Sequence, residues 1–132
     1  MITAVDTNIL LDIFLPDPSH GTRSLALLEK AQGQGSLIIC GIVYAELAPQ
    51  FPDRAMLDLS LAAAGITVAP MSTDAFFIAG KTWLHYRRKK KSRDRIITDF
   101  LIGAFAQVQA DRFLTRDRGF YRSYFSGLVI MK

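Results

Sequence analysis

The stretch AVDTNILLDIF, residues 4–14, changes its periodicity in the middle. Ile2, Ala4 and Val5 form a short apolar run with the look of a buried strand. Ile9, Leu10, Ile13 and Phe14 then recur at i, i+1, i+4 and i+5, the spacing of one helix face. Asp6 falls on the join. An acid there can cap the helix, because its side chain accepts from the free N–H groups of the first turn and suits the positive end of the helix dipole.

The same alternation continues along the chain. Strands are expected at 2–6, 36–40 (SLIIC), 66–70 (ITVAP), 112–115 (RFLT) and 127–131 (GLVIM). Helices are expected at 7–14, at 20–32 and at 42–48, where Pro49 and Pro52 stop the last. Another at 54–64 can be capped by Asp53 and closed by Gly65. A further helix starts at 72–74 and runs towards a basic strip, and an apolar one spans 99–110. Strands spaced by helices imply parallel crossovers, hence a layered α/β sheet.

The chain has 132 residues, a length for one domain, and half of them are hydrophobic. Its mean hydropathy of +0.20 and 11 % aromatics argue against disorder. One cysteine, Cys40, precludes an internal disulfide and fits a reducing compartment, so a cytoplasmic location is expected. The N-terminus has no basic segment, and Asp6 and Asp12 interrupt its apolar start, unlike a signal peptide. The longest uncharged stretches, 31–45 and 59–73, are 15 residues each, short of the roughly 20 that span a bilayer. No membrane association is expected.

The net charge is +4, but it is unevenly placed. RRKKKSRDR, residues 87–95, contributes +6, so the other 123 residues sum to −2. The protein reads as a mildly acidic body with one basic strip.

Four acids stand where plain structure explains them poorly. In a parallel sheet, ligands bind beyond the carboxyl ends of the strands. Asp6 ends the first strand, Glu46 lies in the helix after the second, and Asp117 lies just beyond RFLT. Asp99 is the sole charge between Ile96 and Ala110. Thr98 can cap that helix and place Asp99 in its first turn, but a lone acid on an apolar helix is costly. Two carboxylates about 4 Å apart repel by roughly 4 kcal/mol at an effective dielectric of 20. Shared protons or a divalent cation relieve this, and oxygen-only ligation selects Mg²⁺ or Mn²⁺. Catalytic zinc is not expected, because two histidines, His20 and His85, and one cysteine, Cys40, lie far apart with no ligand spacing.

In order and spacing, VDTN (5–8), YAEL (44–47), TDFLIGA (98–104) and LTRDRGFY (114–121) resemble the motif series of PIN-domain ribonucleases. More narrowly, they resemble VapC-type toxins of toxin–antitoxin pairs. The resemblance implies a single domain over 1–132, a three-layer α/β/α sandwich with a mostly parallel sheet. It implies that Asp6, Glu46, Asp99 and Asp117 hold Mg²⁺, or Mn²⁺ in its place, and cut RNA. Thr7, Asn8 and Thr115 would line the same site. A cognate antitoxin and a homodimer are implied as well. Many relatives have proline where Thr98 stands, and the dense basic strip is unusual.

The strip offers Arg87, Arg88, Lys89, Lys90, Lys91, Arg93 and Arg95 to an RNA backbone, with Arg116 beside Asp117. Tyr86 and Tyr121 are candidates for base stacking or for the core. Two other functions share this pattern: a non-catalytic RNA-binding or interaction module, and an acid-pocket protein accepting a phosphoryl group on Asp6.

Overall fold

The structure, a computed structural model, describes residues 1–89 and 95–131. Its strands are β1 (Ile2–Val5), β2 (Ser36–Ile39), β3 (Ile66–Val68) and β4 (Arg112–Leu114). They form one sheet in the order β3-β2-β1-β4, and every neighbouring pair is parallel. Parallel neighbours need long crossovers, and helices supply them. α1 (Thr7–Phe14) and α2 (Gly21–Gln34) join β1 to β2; α3 (Gly41–Leu47) and α4 (Arg54–Ala63) join β2 to β3. α5 (Thr73–Lys89) and α6 (Ile97–Gln109) lie between β3 and β4, and α7 (Arg118–Tyr124) follows β4.

The strand order reverses at β1. β2 and β3 are added on one side of it and β4 on the other. Right-handed crossovers running in opposite directions put their helices on opposite faces of the sheet, which gives the α/β/α layers. The reversal also opens a crevice at the carboxyl ends of β1 and β4.

β1, an inner strand like β2, is buried from Thr3 to Val5, which explains why its run is mostly apolar. Phe100 of α6 is fully buried, with ring centroids of Tyr86 and Phe120 each 5.2 Å away. A Cβ at Gly103 would come within 2.6 Å of the Phe125 ring, so α6 reaches its packing distance only with glycine there. Gly65, at φ +72°, closes α4 in the left-handed region, as its position suggested.

Three expectations change. α6 begins at Ile97, with Ile96 in the cap position and no side-chain cap; Thr98 lies inside the first turn. The Ile96 carbonyl accepts the Asp99 N–H at 3.1 Å, which starts the helix two residues earlier than a Thr98 cap requires. Residues 118–124, for which the sequence reading named no element, form α7. The strand expected at 127–131 reduces to one parallel bridge between Phe113 and Ile130. β4 has three residues, and only its middle one turns its backbone groups to the outer edge: Phe113 donates to Val129 and accepts from Met131.

Candidate active site

Asp6 is 6 % exposed, and its surroundings follow from the β1–β4 ladder. Val5 pairs with Leu114, and the Asp6 N–H donates to the Leu114 carbonyl at 2.9 Å. The next residues on the two strands, Asp6 and Thr115, thus come side by side. Asp6 Oδ2 accepts from the Thr115 hydroxyl at 2.7 Å, and Oδ1 accepts from the Thr7 N–H at 2.8 Å. The acid caps α1 and faces the crevice at once.

Thr115 Oγ1 also accepts from the Asp117 N–H at 3.0 Å and from Asn8 Nδ2 at 3.5 Å. Asn8 Oδ1 in turn accepts from the Arg116 N–H at 3.3 Å. The Thr7 hydroxyl donates to Glu46 Oε1 at 2.6 Å, which draws this acid from the exposed side of α3 to the start of α1. Asp99 is partly buried in the first turn of α6. Asp117 holds the Arg95 guanidinium in an ion pair.

Charge couples the four. Burial pushes the Asp6 carboxyl up to about 6; hydrogen bonds from Thr115 and Thr7 oppose this, and Glu46 and Asp99 add to it. Burial also raises the Asp99 carboxyl, with Asp117 contributing, against the pull of Arg95 and the Ile96 amide. Burial raises the Tyr121 hydroxyl too, as do the charges of Asp6, Asp99 and Asp117. Tyr121 is therefore a buried neighbour of the cluster and no surface for stacking bases; Tyr86 is equally buried.

The donors are carboxylate and hydroxyl oxygens, and crowded carboxylates gain from a cation among them, so the set fits a hard divalent ion. The quartet is not drawn tight. Among the described residues, the acids and histidines whose ligating atoms all lie within 4.8 Å of one another are Asp12, Asp17 and His20. Those groups are engaged otherwise. Asp12 takes a fork from Arg116 at 2.7 and 3.0 Å and the Ser24 hydroxyl at 2.6 Å. Asp17 Oδ1 accepts from the amides of Ser19 and His20 at 2.7 and 3.1 Å. A cavity of about 550 Å³ between α3 and α4, lined by Tyr44, Phe51 and Leu57, holds none of the four acids.

The basic residues divide. Arg87, Arg88 and Lys89 are exposed on the last turn of α5, with Arg87 4.8 Å over the Trp83 ring. Arg95 is in the site. Arg116 is bound to Asp12, an acid that carries no role in the motif series. Its signal was a charge inside the apolar LLDIF, but its partner lies 104 residues away. Lys90, Lys91 and Arg93 lie outside the described residues.

The sequence model of the PIN domain matches residues 3–126. No curated protein matches. Among solved structures, the fold is similar to VapBC2 from Rickettsia felis bound to a promoter DNA fragment, with TM-score 0.71 and 20 % identity over 99 % of this chain and 98 % of that one. It is similar to VapBC-1 from nontypeable Haemophilus influenzae, with TM-score 0.71 and 20 % identity over 100 % and 98 %. A toxin–antitoxin complex from Klebsiella pneumoniae gives TM-score 0.67 and 18 % identity over 98 % and 96 %. Among the described residues no helix is long and apolar enough to cross a membrane.

Proposed function

The chain belongs to the PIN domain family, and from that premise we propose that it is a Mg²⁺-dependent endoribonuclease, the toxin of a toxin–antitoxin pair. The observation that carries this reading is Asp6. It stands at the strand-order reversal, its carboxyl pushed up by burial first and then by Glu46 and Asp99, and it is joined to Asp117 through one threonine hydroxyl.

Asp6 and Asp99 would hold the ion, with Glu46 and Asp117 beside them; bound there, it would lower the pKa of a water and offset charge on the leaving oxygen. The chain's own residues do the positioning. Thr115 and the Thr7 amide fix both oxygens of Asp6, and the Thr7 hydroxyl fixes Glu46. Arg95 offsets part of the cluster's charge through Asp117. Arg87, Arg88 and Lys89 extend a cationic surface for an RNA backbone, an attraction independent of base sequence. An antitoxin covering the acids, pairing of two copies and a cytoplasmic location belong to the same proposal. Phosphoryl transfer to Asp6 is disfavoured, because the carboxylate is buried and both its oxygens are engaged.

The test is cleavage of labelled single-stranded RNA by the purified protein with Mg²⁺, Mn²⁺ or a chelator. Metal-dependent cutting that Asp99→Asn loses is expected, as is growth arrest on expression that Asp6→Asn relieves. RNA binding without cleavage under any metal condition would identify a non-catalytic module instead.

A further inference from the structure

A cavity of about 260 Å³ shares Thr115 with the acid cluster. Its polar lining is otherwise basic or neutral: His20, Arg23, Ser24, Arg116 and Arg118. No acid lines it among the described residues. Arg116 is held at its wall by the fork to Asp12, which is 3 % exposed, and the Ser24 hydroxyl donates to the same Asp12 oxygen that takes the Arg116 Nε–H. Arg23 and Arg118 have no ion pair or side-chain hydrogen bond among the described residues. Asp117, a member of the acid cluster, lies in sequence between two of the arginines.

We propose that this cavity is a phosphate subsite. It takes a backbone phosphate of the RNA strand next to the one that is cut, and so sets where the strand lies across the acids. The proposal rests on the ribonuclease reading. Four carboxylates repel a polyanion, so the strand must be held by cations just outside them. The planar forks of arginine match phosphate oxygens two at a time. Asp12 offsets the charge of Arg116 and fixes its direction, which leaves Arg23 and Arg118 to supply the attraction.

The experiment uses one RNA of fixed sequence whose cleaved bond has been mapped. A series carries a neutral methylphosphonate at each of the three linkages on either side of that bond. Binding is measured in the Asp99→Asn background, so the RNA stays intact, with and without Arg23→Gln/Arg118→Gln. At one linkage, the neutral phosphate and the arginine pair should each weaken binding roughly tenfold, and the two together no further. The slope of log K against log salt should flatten by about 0.7 in the Gln variant, one single-strand phosphate contact. Arg23→Lys/Arg118→Lys, which keeps the charge, should recover most of the slope. Additive losses at every linkage, or an unchanged Gln variant in a protein that cuts RNA, would overturn the subsite alone. A protein that neither binds nor cuts RNA would overturn the ribonuclease reading and the subsite with it.

Discussion

The Arg95 guanidinium donates to the Asp117 carboxylate, its charge reaches Asp99, and its central carbon lies 4.2 Å from the Phe120 ring centroid. A side chain of this protein thus already supplies positive charge where a metal ion is proposed. Arg95→Met should tighten Mn²⁺ binding severalfold. Both partners are about one-third exposed, so solvent screening keeps the gain near 1 kcal/mol. Calorimetric titration of the metal-free protein measures it. Equal affinity in the two proteins would show that the arginine and the ion occupy separate places.

Asp6 makes the metal-free fold sensitive to acid in an unusual direction. Its folded carboxyl, at about 6, lies above its ordinary 3.8, so the native state binds that proton more tightly than the unfolded chain does. The stability this gives is fully present below 3.8 and is lost as the pH rises through 6, a swing on the order of 3 kcal/mol. Between pH 7 and 5 in a chelator, the melting temperature of the wild type should therefore rise relative to Asp6→Asn by several degrees. Parallel curves for the two proteins would contradict the raised carboxyl.

Asp99→Asn keeps the shape of a partly buried acid and removes its charge. Without metal it should melt at the wild-type temperature or above, since burial already disfavours the ionised form. With Mn²⁺ at a hundredfold excess over its dissociation constant, the wild type should gain roughly 2.7 kcal/mol and the variant much less. RNA cleavage should be abolished. A metal-free variant that melts several degrees lower would mark Asp99 as a structural residue.

Arg116 and Asp12 tie the chain beyond β4 to α1. Arg116→Met leaves Asp12 buried with Ser24 alone and should cost about 3 kcal/mol by chemical denaturation, the low end for a broken buried pair. The Arg116 side chain is 39 % exposed, which keeps the figure there. Asp12→Asn in the same protein should restore part of the loss, because the uncompensated charge is gone.

The strand–helix alternation was legible in sequence because the strands, β1 the most buried of them, read as short and mostly apolar runs. The four acids were legible because each interrupts such a run or follows one. α7 left a usable signal: Phe120, Tyr121, Tyr124 and Phe125 recur with the same spacing that marked α1. The charged LTRDRGF around Asp117 obscured it as a turn. The last strand failed for the opposite reason, since GLVIM has the composition of a strand but only one residue of β4 available to pair with. Arg95 and Asp12 were not legible in their roles. Each depends on a partner at a sequence distance of 22 or 104 residues, which no local pattern encodes.

The pairing of Val5 with Leu114 has a consequence for how this chain tolerates change in length. Asp6 and Thr115 meet only because each is the first residue past that rung, so the backbone ladder acts as a ruler for the chemistry. One residue inserted or deleted within 112–114 turns the side chain after it to the opposite face. The sheet could still zip up and the helices still cover it, yet Asp6 would lose its hydroxyl donor. A single codon gained or lost there would act as an off-switch in a protein that remains folded, whereas the same event in the turn between α4 and β3 leaves the ruler unread.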